Sequence, residues 1–244
     1  MSKKIVITGA GAGLGRALAR RFAKDGDVVI LLGRTLKNVE KVAAEIGGAA
    51  MAVECDVASA DSVRKAFAAV AAKHAKIDAL INNAAVYEPV VVSEATDAQI
   101  ETHLMTNFAG PIYCARAAIP MLGRGGSIIN VSSESVVVPF AMFALYHSTK
   151  AGLERFSEAL KAELDPAGIR VSVVRAGQMM DADKTWNIDP AVARRFGEAC
   201  MKAGVNLRER PLSQYVSVTD VFRLLIDLPA DLRVSGVFLE AHRP

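Results

Sequence analysis

Residues 4–24 read KIVITGAGAGLGRALARRFAK, and this stretch decides the fold of the chain. It starts with a short apolar run and continues into a turn with glycine at positions 9, 11, 13 and 15. Apolar residues then recur with a helical period over residues 14–24. We therefore predict a buried strand, a glycine-rich turn and a helix, which together form the first unit of an alternating α/β structure.

The same alternation continues to the end of the chain. The apolar runs predict strands at residues 4–7, 28–32, 50–55, 79–82, 127–131, 170–174 and 237–240. Helical periodicity predicts helices at residues 14–24, 36–46, 60–74, 97–121, 143–164, 190–203 and 219–228. Because the strands are apolar almost without interruption, both faces of the sheet should be covered. The pattern predicts a Rossmann-type doubly wound parallel sheet of about seven strands with helices on both faces.

Length and composition favour one globular domain over residues 1–244. With 52% hydrophobic residues, 23% charged residues and a net charge of +3, the chain does not resemble a nucleic-acid-binding protein. The cysteines, Cys55, Cys114 and Cys200, lack metal-ligand spacing, so we predict no bound metal and a reducing, cytoplasmic location. The first apolar run is too short for a signal peptide or a membrane span, so no membrane association is predicted.

One long segment, residues 178–217, interrupts the alternation before the last helix. It contains Met179, Met180, Trp186 and Phe196 together with six basic residues. Long excursions inside a compact domain are usually lids or binding loops, so we predict a substrate lid at about 178–217. The apolar residues favour a hydrophobic or aromatic ligand, whereas the basic residues leave an anionic ligand open.

The glycine turn itself predicts a dinucleotide site. Glycines between a strand and a helix let the backbone approach a pyrophosphate, which binds the unpaired N–H groups at the helix N-terminus. The spacing here is Thr-Gly-x-x-x-Gly-x-Gly, because Leu14 occupies the third glycine position of the commoner Gly-x-Gly-x-x-Gly pattern. After the second strand, Arg34 stands where an acidic residue would bind the ribose hydroxyls of NAD. A planar guanidinium suits a 2′-phosphate, so we predict NADP (NADPH).

A second informative stretch is Tyr146-His147-Ser148-Thr149-Lys150. Residues i and i+4 share a helix face, so Tyr146 and Lys150 should lie side by side. An ammonium about 4 Å from a phenol favours the phenolate by roughly 4 kcal/mol at an effective dielectric of about 20. This predicts a tyrosine pKa lowered from about 10 towards neutrality, as a general acid and base requires. Such pairs also occur by chance on solvated helices, but Ser133 precedes this tyrosine by thirteen residues.

Taken together, these residues make the chain resemble the short-chain dehydrogenase/reductase family, in its single-domain form, over essentially its whole length. The matching pieces are residues 8–15, Asp56-Val57, Asn82-Asn83-Ala84-Ala85, Asn107, Ser133, Tyr146 with Lys150, and Ala176-Gly177. The resemblance implies an oxidoreductase that interconverts a carbonyl and a secondary alcohol by hydride transfer. It also implies a homotetramer or homodimer whose only other partner is a small-molecule substrate.

The resemblance further implies a catalytic tetrad. Ser133 would hydrogen-bond the substrate oxygen, and Tyr146 would exchange a proton with it. Lys150 would lower the tyrosine pKa and hold the nicotinamide ribose, and Asn107 would anchor a water that links Lys150 to solvent. The cofactor-binding residues implied are Thr8, Gly9, Gly13, Leu14, Gly15, Arg34, Asp56, Val57, Asn83, Tyr146, Lys150, Gly177 and Met179.

Several alternatives stay open. Ser132 could be the active serine, although the spacing to Tyr146 favours Ser133, and Asn107 could simply bend its helix. The chain departs from the family pattern at Ala85, Ala176 and Asp181, where the family usually has glycine, proline and often threonine. A catalytically idle NADP-binding regulatory protein on the same fold is the competing function, since a fold does not guarantee activity. The presence of all four tetrad residues favours an enzyme.

Overall fold

The apolar runs form the predicted parallel sheet. The computed structural model describes residues 2–180, 186, 188–229 and 231–243. The strands, numbered in chain order, are β1 (Lys4–Thr8), β2 (Val28–Gly33), β3 (Ala50–Glu54), β4 (Ile77–Asn82), β5 (Leu122–Ser133), β6 (Arg170–Ala176), β7 (Met179–Met180), β8 (Ser213–Gln214) and β9 (Gly236–Leu239). Seven of them form one sheet in the order β3-β2-β1-β4-β5-β6-β9, and all its pairs are parallel. The two short strands β7 and β8 pair separately.

Helices cover both faces of this sheet, which confirms the predicted layers. The described α-helices are α1 (Gly13–Lys24), α2 (Leu36–Ile46), α3 (Ala60–Lys73), α4 (Asp97–Leu104), α5 (Gly110–Ala118), α6 (Ala144–Leu164), α7 (Pro190–Lys202) and α8 (Tyr215–Asp227). On one face, Phe22 of α1 and Phe222 of α8 are fully buried against the strands. On the other, Phe67 of α3 and Leu160 of α6 are buried. Each such side chain contributes about 1.5–3 kcal/mol. No described helix has the length and apolar character that crossing a membrane requires.

The strand order creates the crevice in which a ligand site is expected. The chain runs from β1 outward through β2 and β3, then returns to the other side of β1 with β4. The connections after β1 and β4 therefore leave in opposite directions, and the crevice opens at the carboxyl ends of these two strands. Ile7 on β1 pairs with Ile81 on β4, so the residues that follow them meet at this edge.

The helix predicted over residues 97–121 is two helices, not one. Residues 105–109 form a π-helical turn between α4 and α5. Pro111 has no backbone N–H to donate to the carbonyl of Asn107, so a regular α-helix cannot continue through this point. A π-turn absorbs the mismatch and is frequent at functional sites. It places Asn107, which is fully buried, at the bend.

Other boundaries differ for local reasons. β5 begins at Leu122, whereas the predicted strand begins five residues later, because Gly123, Gly125 and Gly126 interrupt its apolar pattern. The strands β7 and β8 are only two residues long, and no periodicity can be seen over that length. They join the two ends of the 178–217 segment, since Met179 pairs with Ser213.

Candidate active site

A cavity of about 670 Å³ runs along the carboxyl ends of the central strands. Its wall includes most of the predicted site residues, namely Gly9, Gly13, Leu14, Arg34, Asp56, Val57, Asn83, Ser133, Tyr146, Lys150, Gly177 and Met179. Thr8, Gly15 and Asn107 are buried behind that wall. Asp181 lies outside the described residues. One cavity therefore joins the glycine turn to the Tyr146 region.

The glycine turn leaves room that no other residue type would leave. Gly9 has φ +66°, in the left-handed region. A Cβ on Gly15 would lie 2.3 Å from the Gly9 carbonyl oxygen and 2.7 Å from Asn83 Nδ2. No described side chain caps the N-terminus of α1, which follows the turn at Gly13. Free backbone N–H groups at a helix N-terminus beside a cradle without side chains fit a pyrophosphate.

Side-chain hydrogen bonds hold the ends of β1 and β4 together under this cradle. The Thr8 hydroxyl accepts bonds from the backbone N–H of Asn83 at 2.9 Å and of Ala84 at 3.0 Å. In return, Asn83 Nδ2 donates to the Thr8 carbonyl at 3.0 Å. Thr8 and Asn83 thus set the shape of the cradle, and Asn83 also faces the cavity.

The far end of the cavity is bounded by residues after β2 and β3. Arg34 is exposed at the edge of the cavity. Asp56 accepts a bond from the backbone N–H of Ala58 at 3.0 Å, and Val57 is buried against Gly110. Cys55 lines the same end, and burial raises the pKa of its thiol to about 12, so it stays protonated. This end offers the Arg34 guanidinium, the Asp56 carboxylate and an apolar surface.

Asn107 uses its side chain to bind backbone rather than the cavity. Its Oδ1 accepts from the Val86 N–H at 2.8 Å, and its Nδ2 donates to the Val86 carbonyl at 2.8 Å. Nδ2 also lies 3.3 Å from the Thr149 hydroxyl, next to Lys150. Asn107 therefore ties the segment after β4 to α6, and the predicted water relay to Lys150 stays a prediction.

The two adjacent serines at the end of β5 point to different neighbours. The Ser132 hydroxyl donates to Glu154 on α6 at 2.6 Å, and Glu154 forms an ion pair with Arg175 at 2.6 Å. The Ser133 hydroxyl accepts from the Ser135 N–H at 3.2 Å and is hydrogen-bonded to Tyr146, which it favours in the ionised form. Only Ser133 of the two therefore shares a bond with Tyr146.

Tyr146 and Lys150 lie side by side on α6, as their spacing predicted. Lys150 Nζ is 5.9 Å from the centre of the Tyr146 ring and donates to the Val131 carbonyl at 2.8 Å. Burial raises the pKa of Tyr146 to about 12, with smaller increases from Tyr87 and Glu134, and lowers the pKa of Lys150 to about 8. The prediction of a lowered tyrosine pKa is therefore wrong for this structure. It counted the attraction of the cation and omitted the loss of water around both groups.

Several aromatic side chains pack around the ring of Tyr146. The ring centres of Phe143 and Tyr87 lie 5.3 and 6.3 Å from that of Tyr146. Trp186 stacks on Tyr87 at 6.0 Å, and Phe196 stacks on Phe143 at 4.7 Å. Tyr87 follows β4, Phe143 directly precedes α6, and Trp186 and Phe196 belong to the 178–217 segment. Together they form an apolar end of the cavity.

Sequence reasoning missed Tyr87, Glu134 and Tyr215, all of which line the cavity. The Tyr215 hydroxyl lies 3.4 Å from the position that a Cβ on Gly13 would occupy, so α8 reaches the glycine turn. Nothing in the sequence around Tyr215 indicates that this residue approaches the glycine turn. Glu134 had a signal, because it is an acidic residue directly after Ser133. Across the described ranges, no group of three or more His, Cys, Asp or Glu side chains is arranged to hold a metal ion.

Comparison with known proteins gives one consistent result. The family model of the short chain dehydrogenases matches residues 3–192. The NADP-dependent 3-hydroxy acid dehydrogenase YdfG of Salmonella typhi is 34% identical over 238 residues, covering 96% of this chain and 92% of that protein. An uncharacterised oxidoreductase of Methylorubrum extorquens is 37% identical over 183 residues, covering 73% of each chain. A short chain dehydrogenase from Burkholderia cenocepacia, solved in complex with NADP, superposes with a TM-score of 0.82 at 26% identity, covering 98% of this chain and 96% of that one.

Proposed function

The chain belongs to the short-chain dehydrogenase family, and on that premise we propose that it is an NADP-dependent oxidoreductase interconverting a carbonyl and a secondary alcohol. The observation that carries this proposal is the convergence of Ser133, Tyr146 and Lys150 on a cavity that also contains the glycine turn. Ser133 ends β5, whereas the other two side chains project from α6. A dinucleotide cradle and a group able to exchange protons therefore share one space.

Each polar side chain then has a physical role. The bound cofactor would supply or accept the hydride. During reduction, Tyr146 donates its proton to the carbonyl oxygen, and Ser133 donates a hydrogen bond to the same oxygen. With a pKa of about 12, the phenol of Tyr146 is protonated at neutral pH, so its proton is available for reduction. Lys150, with a pKa of about 8, is still mostly cationic at that pH and stabilises the phenolate as it forms. Asn107 would anchor a water that links Lys150 to solvent, so that Lys150 could pass a proton to the Tyr146 phenolate and take one back from solvent.

The preference for NADP rests on Arg34. The end of β2 reads Gly33-Arg34-Thr35, with a guanidinium and no acidic residue to bind the ribose hydroxyls. The exposed Arg34 lines the cavity, where it can pair with a 2′-phosphate. The name of the Salmonella relative and the NADP complex of the Burkholderia protein support the same cofactor.

For the substrate we propose a hydrophobic or aromatic carbonyl compound. Tyr87, Phe143 and Trp186 all line the cavity around Tyr146. In the described part of the 178–217 segment, the basic residues do not line it. Arg195 pairs with Glu94 and Arg210 with Glu134, while Arg194, Lys202 and Arg208 are exposed. An anionic substrate, which the name of the Salmonella relative implies for that protein, is the class to be tested against it.

The test is turnover of NADPH with aromatic ketones, aliphatic ketones and 3-oxo acids. We expect the highest kcat/KM for the aromatic ketones. Tyr146→Phe should lower kcat by about 10²–10⁴-fold, the usual contribution of a general acid, while the Kd for NADPH changes less than about twofold. Tyr113→Phe, which removes a phenol from α5 away from the cavity, is the control. Full activity of Tyr146→Phe, or NADPH binding without turnover of any compound, would contradict the proposal.

We propose a homotetramer or homodimer, supported by exposed apolar side chains such as Leu104 on α4 and Phe238 on β9, which are 46% and 64% exposed. A cytoplasmic location is supported by the three cysteines, which are all buried free thiols. The extent of a single domain over residues 1–244, with a lid at about 178–217, also stays a proposal.

A further inference from the structure

A partly buried carboxylate lies directly next to the serine of the site. Glu134 follows Ser133 at the end of β5, and its side chain is only 12% exposed. It forms an ion pair with Arg210, and the backbone N–H of Gln178 donates a hydrogen bond to it. Burial raises the pKa of Glu134, while both of these partners act to lower it. The carboxylate is thus held by two contacts that come from elsewhere in the chain.

Both contacts belong to the 178–217 segment, one from each of its ends. Gln178 opens the segment and Arg210 lies near its close. The Gln178 carbonyl also accepts a bond from the Ser213 N–H at 3.1 Å, next to the β7–β8 pair. The Arg210 guanidinium lies 5.3 Å above the ring of Phe140, which lines the cavity. One carboxylate therefore fastens both ends of the segment to the strand end that carries Ser133.

A comparison within the same segment shows why this ion pair differs from an ordinary surface pair. Arg195 on α7 pairs with Glu94, and their side chains are 52% and 51% exposed. Water screens such a pair, which contributes little. Glu134 and Arg210 are 12% and 29% exposed, so loss of either partner leaves the other charge poorly compensated. The two pairs have the same chemistry and different burial, which makes Glu94 a matched control.

We propose that Glu134, through Arg210 and Gln178, is a positioning residue that fixes the described part of the 178–217 segment, residues 178–180, 186 and 188–217, at the substrate end of the cavity. This inference rests on the proposed function for its kinetic readout. When the contact between Glu134 and Arg210 is lost, the Trp186 and Phe196 side chains of this segment no longer hold one position. Substrate binding should weaken, whereas Tyr146 and Lys150, which are carried by α6, should still perform the proton transfer.

The experiment compares Glu134→Gln and Arg210→Met with the wild type. For each of them we expect the KM of the preferred ketone to rise at least about tenfold, with kcat and the Kd for NADPH changing less than about threefold. Arg210→Lys, which keeps the charge, should recover most of the KM, and Glu94→Gln should behave as wild type. The KM of the double variant, with both Glu134→Gln and Arg210→Met, should not exceed that of the worse single variant, because both substitutions break the same contact.

A second readout does not depend on turnover. Trypsin should cut within residues 178–217 at least about fivefold faster in Glu134→Gln than in the wild type, because the segment opens locally more often. If the wild type proves inactive, the proposed function fails. The cleavage rate then still tests whether Glu134 positions the segment. An unchanged KM and cleavage rate would overturn the inference. So would a parallel loss of kcat, cofactor binding and thermal stability, because that pattern describes a general structural defect.

Discussion

The two ends of the cavity are built in opposite ways. At the cofactor end, the wall nearest the glycine turn consists mainly of backbone and small residues, with Gly9, Gly13 and Asn83 in it. At the substrate end, large side chains such as Tyr87, Phe143 and Trp186 come from segments far apart in the sequence. The shape of the cofactor end depends on the missing Cβ atoms of its glycines. The shape of the substrate end depends on the bulk of its aromatic side chains.

This difference teaches where a single substitution should act sharply and where it should act gradually. Backbone in close contact cannot move aside without disturbing two strands and a helix. The steric cost of one added methyl group is therefore not relieved by relaxation. An aromatic cluster shares its contacts, so each ring supplies only a fraction of the binding surface.

The largest effect is expected at the cofactor end, from Gly15→Ala. The new Cβ would lie 2.3 Å from the carbonyl oxygen of Gly9, which is backbone and cannot rotate away. We expect affinity for NADPH, measured by its fluorescence, to fall at least about 100-fold, roughly 2.7 kcal/mol. Gly197→Ala on α7 is the control, because nothing lies within 4 Å of its Cβ position. It should stabilise the protein by about 0.5–1 kcal/mol. Normal NADPH binding by Gly15→Ala would refute the contrast between the ends.

An intermediate effect is expected from Arg34→Asp at the outer edge of the same end. Arg34 is exposed and would contact the cofactor through its side chain, not its backbone. Its replacement should therefore change the selectivity between NADP and NAD without closing the cradle. The ratio of NADP affinity to NAD affinity should fall at least about tenfold, or about 1.4 kcal/mol. Calorimetric titration with both cofactors measures it. The exposed Lys76, changed to Asp, controls for net charge. An unchanged ratio would remove the basis for the NADP assignment.

The smallest effect is expected at the substrate end, from Trp186→Ala. The ring of Trp186 contacts Tyr87 and Phe196, and an aromatic contact contributes about 0.5–1.5 kcal/mol. The KM for an aromatic ketone should therefore rise by about three- to tenfold, with the Kd for NADPH unchanged. Leu232→Ala, which removes an exposed apolar side chain away from the cavity, is the comparison variant. A loss as large as that of Gly15→Ala would show that the two ends do not differ in this way.

Much of the fold could be predicted because its signals are local. Continuous apolar runs predicted the seven parallel strands, and the glycine turn predicted the strand-turn-helix unit at the start of the chain. The π-turn at Asn107 escaped prediction, although Pro111 marked it, because a proline can also end a helix. The β7–β8 pair could not be predicted because a strand of two residues is too short to show hydrophobic periodicity. Family spacing supplied the tetrad, and its roles are still predictions.

The sequence by itself determined the order of strands and helices, the small residues of the cradle and the guanidinium after β2. Those features depend on residue type and on near neighbours along the chain. Only the tertiary structure decided the directions of the Tyr146 and Lys150 pKa shifts, the partner of Ser132, and the pairing of Glu134 with Arg210 across 76 positions. Desolvation and long-range ion pairing depend on what surrounds a group in space, and one-dimensional spacing does not contain that information.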